Sequence, residues 1–186
     1  MEGLDLKGER ESDVLVMIDG KAGAGKDVLA DYTAEKLGAK RVSAGEIFRQ
    51  AAEEKGLDLE ELSGEARKEL DLDVDRKIFE KGLSESCVID SRIGSRVLDG
   101  FTDLKLRLKA DPEERGRRVA KRENIGREEA LKKVEKRDRS DAERYARHYG
   151  IDLDDLSVYD IVIDDTELSV EETKKLMDRV LEVYIR

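Results

Sequence analysis

The sequence predicts a three-layer α/β fold in which a five-stranded parallel sheet lies between helices. Three observations predict it. Five short apolar runs alternate with longer stretches of helical spacing, the arrangement that builds a parallel sheet through helical crossovers. The first run, Val14 to Asp19 (VLVMID), is apolar almost throughout, as a central strand covered on both faces requires. The chain has 186 residues, enough for one domain with a sizeable core and too few for two independent ones.

The elements follow in order. A charged lead of about twelve residues lacks periodicity and is expected to fray, so the fold starts at Val14. A glycine loop follows the first strand, and from Lys26 the spacing of Leu29, Tyr32, Thr33 and Leu37 fits an amphipathic helix closed by Gly38. A short strand is expected at Lys40 to Val42, a helix from Gly45 to Lys55, acidic helical stretches between Asp58 and Gly82, and a strand at Cys87 to Asp90. Leu104, Leu106 and Leu108 alternate as a fourth strand, and Asp111-Pro112 opens the next helix in the cap and first-turn positions. Two helical segments, Asp111 to Glu123 and Arg127 to Tyr149, form a hairpin broken near Asn124-Ile125-Gly126. Tyr159 to Asp164 (YDIVID) is the fifth strand, and Ser169 with Glu172 makes a capping box for a last helix. In that helix Leu176, Val180 and Leu181 read as core, while Tyr145, Tyr149 and His148 read as packing for the hairpin.

Composition excludes several function classes. Charged residues make up 44% of the chain and the net charge is -10, which argues against a nucleic-acid or anionic-membrane partner. No apolar run approaches the ~20 residues that span a bilayer, and MEGLDLKGERESD lacks the apolar core of a signal peptide, so a cytoplasmic monomer is expected. The single Cys87 cannot form an internal disulfide and reads as a small strand residue. An anionic ligand would need a local basic pocket. The segment Asp111 to Arg147 supplies one, with thirteen Lys and Arg against ten Asp and Glu, a local +3 that leaves -13 for the remainder.

Gly20-Lys21-Ala22-Gly23-Ala24-Gly25-Lys26 matches G-x-x-x-x-G-K and lies between a strand and a helix, as a phosphate loop must. Its glycines let successive N–H groups turn toward phosphate oxygens, the helix N-terminus adds a positive dipole end, and Lys26 would bridge the outer phosphates. After the lysine such loops carry a hydroxyl residue that binds Mg²⁺; here Asp27 and Val28 follow, so Asp27 either holds the metal, directly or through water, or repels the triphosphate by its charge. Ser43-Ala44-Gly45-Glu46-Ile47-Phe48-Arg49 opens the next helix with Arg49 one turn in. Val88-Ile89-Asp90-Ser91-Arg92 puts an arginine just past a strand's carboxyl end, the edge where open α/β sheets bind ligands. Asp90 is placed to orient Arg92 or to help hold Mg²⁺. Arg137, Asp141 and Arg144 share one helix face, with Asp141 able to hold both arginines.

Together GKAGAGK, SAGEIFR, DSR, RVAKRE, EKRDRSDAERY and YGIDLDDLSVYDIVID resemble the archaeal type of cytidylate kinase, a P-loop nucleoside monophosphate kinase family, from Val14 to about Lys175. The resemblance implies a P-loop core (about 14–45, 87–110 and 158–186), a small helical substrate-binding insert (about 46–86) and a short helical lid (about 111–150). It implies transfer of the ATP γ-phosphate to CMP or dCMP, with ATP and Mg²⁺ as cofactors. Gly20 to Asp27 would hold the donor, Ser43, Gly45, Arg49, Asp90 and Arg92 the acceptor, and Arg118, Arg122, Arg137 and Arg144, with Asp141, would close over the phosphoryl group. Ile93 follows Arg92 where bacterial members carry an aspartate. The alternatives are a kinase for AMP or shikimate, or a nucleotide-binding switch silenced by Asp27.

Overall fold

The computed structural model describes residues 9–56 and 64–185. Strand β1 (Leu15–Asp19) is buried at every position because its alternate side chains enter two different cores. Val16 and Ile18 pack with Leu29 and Ala30 of helix α1 (Lys26–Leu37) and with Met177 and Leu181 of α7 (Val170–Tyr184). Leu15 and Met17 point the other way, onto Val74, Ile78 and Phe79 of α3 (Gly64–Ser84). This two-sided burial explains why the run carries no polar alternation.

The remaining strands are β2 (Lys40–Ser43), β3 (Cys87–Ser91), β4 (Leu104–Lys109) and β5 (Ile161–Asp164), and the five form one parallel sheet in the order β2-β3-β1-β4-β5. The expected fold is therefore present. Helix α2 (Ala44–Glu54) follows β2 and is capped by Ser43, whose Oγ accepts from the Glu46 N–H. A one-turn helix α4 (Gly94–Val97) follows β3, and the hairpin is α5 (Pro112–Glu123) and α6 (Arg127–Tyr149). Asn124 ends α5 in the left-handed conformation, φ 54°, which asparagine tolerates better than most residues. The Ser169–Glu172 capping box starts α7 as expected.

Two expectations need correction. The lead does not fray from Arg10 onward: the Glu11 and Ser12 amides donate to Leu83 O, and Arg10 donates to Phe101 O at 2.8 Å and pairs with Asp103. Residues 1–8, and the 58–63 part of the expected acidic helical stretch, lie outside the described residues. In the last helix Leu176 is 44% exposed, and Met177 takes its place in the core. Val180 and Leu181 pack in the core as expected, so only the first position of the stripe was misplaced.

Among the described residues no helix is long and apolar enough to cross a membrane. The carboxyl ends of β1 and β3 adjoin, in register at Asp19↔Ser91, and β4 meets the other edge of β1 at Asp19↔Arg107. The strands are all parallel, but the order in which they are added switches from one side of β1 to the other after β3, so the loops after β1 and β3 open on the crevice where doubly wound sheets bind ligands.

Candidate functional site

The phosphate loop is held from behind by arginines. Gly20 O accepts from Arg92 at 2.8 Å, Ala22 O from Arg115 at 3.1 Å and Ala24 O from Arg118 at 3.2 Å. In a trans peptide the N–H opposes the C=O, so the amides of Lys21, Gly23 and Gly25 face away from these guanidiniums. Gly23 and Gly25 adopt φ 76° and 85°, which a side chain would strain. A Cβ at Gly20 would come within 2.6 Å of Leu108 O. Lys26 is buried and its Nζ donates to Lys21 O at 3.1 Å. Burial, and then the Arg92 guanidinium, press its ammonium pKa downward, against the pull of Asp90, Asp27 and Asp19. An anionic ligand there would reverse that shift. The Lys21 side chain turns out of the loop and pairs with Asp154 at 3.0 Å.

On the same cleft, of about 570 Å³, stands a second cationic group, gathered on one carboxylate and joined to the loop through Arg92. Buried Asp141 accepts from Arg92 Nε at 2.9 Å, Arg144 at 3.0 Å and Arg137 at 3.3 Å. Burial pushes its pKa up, but Arg92, Arg137 and Arg144 outweigh that and hold it below the usual carboxylate range. The expected pairing of Asp141 with Arg137 and Arg144 is thus present, and Arg92 joins it. Asp90 does not orient Arg92. It accepts from Arg41 Nε at 3.0 Å and from Ser43 Oγ at 3.2 Å, so its charge is spent on β2.

Lys26, Asp27, Ser43, Gly45, Arg49, Asp90, Arg92, Arg122, Arg137 and Arg144 line this cleft together with Ala22, Gly23 and Gly25. Gly20, Lys21, Ala24 and Asp141 are not on its wall, although the first three belong to the loop and Asp141 stands behind the arginines. Arg118 is engaged elsewhere: besides Ala24 O it holds Asp165 at 3.0 Å and Glu114 at 2.8 Å. It lines an adjoining cavity of about 510 Å³, walled by Leu168 and Val170 on the far side of Gly25.

Sequence reasoning missed Arg67 and Asp71 of α3. Both line the cleft, and Asp71 accepts from Arg144 at 3.3 Å. Among the described residues Arg67 Nε, Asp71 Oδ2, Arg144 Nε and His148 Nδ1 are buried without a hydrogen-bond partner, and Arg67 Nε and His148 Nδ1 lie 4.0 and 3.9 Å from the Asp71 carboxylate. Their i, i+4 spacing was visible, but nothing in sequence says that α3 meets α6. Asp19 was missed as well: fully buried, it accepts from Ser91 Oγ, from the Ser95 N–H at 3.0 Å and from Tyr159 Oη at 3.2 Å, tying β1 to the Arg92 loop.

The chain resembles known proteins in sequence and in fold. A cytidylate kinase of Methanopyrus kandleri is 38% identical over 180 residues, covering 91% of this chain and 93% of that protein. One of Methanocaldococcus jannaschii is 41% identical over 163 residues, covering 85% and 92%. Among solved structures, an uncharacterized protein of Eubacterium ventriosum superposes with a TM-score of 0.69 at 17% identity, over 92% of this chain and 99% of that one. A shikimate kinase of Acinetobacter baumannii gives 0.60 at 13%, over 93% and 96%. At such identities the last two speak for the fold alone. The Cytidylate kinase-like family model matches residues 15–167, and the chain belongs to that family.

Proposed function

We propose that this protein transfers the γ-phosphate of ATP to CMP or dCMP. The observation that carries the reading is that two cationic groups line one cleft: the loop ending in Lys26, and the arginines 92, 137 and 144 gathered on Asp141. Two phosphate-bearing ligands placed end to end would bring donor and acceptor phosphates between them. An oxygen of the acceptor phosphate attacks the γ-phosphorus, the bond to the β,γ-bridging oxygen breaks, and ADP leaves with that electron pair.

Such a transfer asks little covalent work of the protein, so rate comes from alignment and charge neutralisation. The loop amides and Lys26 hold the donor, with its base directed toward the cavity beside Arg118. Arg49, exposed on α2, reaches the acceptor phosphate with Ser43 and Gly45 at its base, and Arg92, Arg137 and Arg144 neutralise charge on the moving group. Arg122 and the 111–150 hairpin act as a lid that excludes water, and 46–86 as the acceptor-binding insert. Arg67 and Asp71 favour a cytosine. That base offers acceptors at O2 and N3 beside a donor at N4, and a guanidinium next to a carboxylate complements this edge, whereas uracil carries a donor at N3.

Among the described residues no group of three or more His, Cys, Asp or Glu could hold a metal ion alone. Mg²⁺ in phosphoryl transfer asks for less, one or two carboxylates with phosphate oxygens and water. Asp27 fits, being a hard oxygen ligand on the cleft wall next to Lys26. When bound there Mg²⁺ supplies neutralisation of the donor phosphates.

The reading is tested by following ADP release from ATP and Mg²⁺ with CMP, dCMP, UMP, AMP and shikimate offered separately. Turnover confined to CMP and dCMP is expected. Preference for AMP or shikimate would replace the acceptor, and ATP binding without turnover would make the protein a nucleotide switch.

A further inference from the structure

Arg115 lies one turn into α5 in a charged run, EERGRR, that reads as solvated helix surface. It is instead only 3% exposed. Its Nε donates to Ala110 O at 2.9 Å, one terminal nitrogen donates to Ala22 O at 3.1 Å, and the two terminal nitrogens pair with both oxygens of Asp138 at 3.1 and 2.7 Å. The turn after β4, the phosphate loop and α6 therefore meet on one side chain. On α6, Asp138 directly follows Arg137, three residues before Asp141 and six before Arg144.

Backbone packing leaves no slack around this junction. A Cβ at Gly23 would stand 2.9 Å from Arg115 O, and one at Gly116 would stand 3.2 Å from the Leu131 Cα of α6. α5 is thus wedged between the loop and α6. A two-point guanidinium–carboxylate pair fixes angle as well as distance, which an exposed point-charge pair does not.

We propose that Arg115 is a positioning residue for phosphoryl transfer, which keeps the Ala22 carbonyl turned outward and the arginines of α6 in register with the loop. It touches neither phosphate. This rests on the reading of the site as a phosphoryl-transfer centre. Its consequence is mechanical: the loop and the middle of α6 are linked through one side chain, so a donor bound at the loop is felt along α6.

The test uses the double variant Arg115→Met with Asp138→Leu, together with Asp138→Asn. Removing both charges leaves no buried unpaired ion, and apolar replacement of a buried pair is often neutral for folding. Hydrogen exchange of the α6 amides is measured with and without ATP, alongside ADP and inorganic phosphate formation in the presence of CMP. In the unaltered protein ATP slows exchange in α6. In the double variant that protection is lost, kcat falls about 100-fold, the phosphate share of turnover rises, and KM for CMP changes less than about threefold. Retained protection with kcat within about threefold of the unaltered protein would leave Arg115 a packing residue. Should the double variant not fold, Asp138→Asn must weaken the same protection, and no change there overturns the inference. An unaltered protein whose α6 ignores ATP overturns it too, whatever the acceptor, while failure to turn over CMP at all counts separately against the reading of the site.

Discussion

Asp141→Ala should cost this protein both stability and rate, and the structure gives the size of each. The carboxylate is buried and accepts from three guanidiniums at 2.9 to 3.3 Å, two of them, Arg92 and Arg144, largely buried themselves. Removing one partner of such a group leaves uncompensated charge and costs about 3–5 kcal/mol. For a domain of this length 1 kcal/mol moves the melting temperature by about 2–4 °C, so a drop of about 6–20 °C is expected. The rate falls because three arginines lose their aim, by about 100-fold or more in kcat/KM. The pH dependence follows from the direction of the shift. The folded pKa lies below the unfolded value, so the contribution of Asp141 is present above the unfolded value, about 4, and is lost as pH falls through the folded one. Thermal melts at neutral pH, repeated near pH 3 with Asp141→Asn, read both effects. A melting point within about 2 °C of the parent for Asp141→Ala would show that the arginines need no anchor, and the account of the site would fail.

Two further outcomes are expected. Asp27→Ala should raise the Mg²⁺ concentration for half-maximal turnover about tenfold or more and weaken Mn²⁺ binding to the protein–ADP complex seen by electron paramagnetic resonance; unchanged metal dependence in both would remove Asp27 from the metal site. Asp75 accepts from Tyr149 Oη at 2.6 Å between α3 and α6, and burial pushes its pKa up to about 7 against that hydrogen bond. Between about pH 4 and 7 the folded state keeps a proton that the unfolded chain has released, so this group makes stability fall as pH rises. Asp75→Asn should flatten that slope in urea unfolding followed from about pH 5 to 8, and an unaltered slope would contradict the assignment.

What was legible in the sequence is what local rules determine. VLVMID, the glycine loop, Asp111-Pro112 and the Ser169 capping box each announce themselves within a few residues, and these fix the order and kind of most elements. Arg92, Arg137 and Arg144 were legible because strand ends and helix faces follow from spacing. Arg107 was not: LKLRLK alternates as if Arg107 faced water, yet it is buried where Leu153 O and Tyr159 Oη accept from it. Its cover comes from a segment almost fifty residues away, which no period in the strand can encode. Arg115, Arg67 and Asp71 escaped for the same reason. Each looks like solvated helix until a second helix is laid against it.

These hidden pairs also change the meaning of the charge. A net charge of -10 suggests a generally acidic surface, but several of the carboxylates are committed inside. Asp90 holds Arg41, Asp141 holds Arg92, Arg137 and Arg144, Asp138 holds Arg115, and Asp165 holds Arg118. Without them the arginines would repel one another across the cleft and turn outward to water. With them the cations stand in place before any ligand arrives, so binding phosphate costs little rearrangement, and the positive site is built by the acidic residues around it.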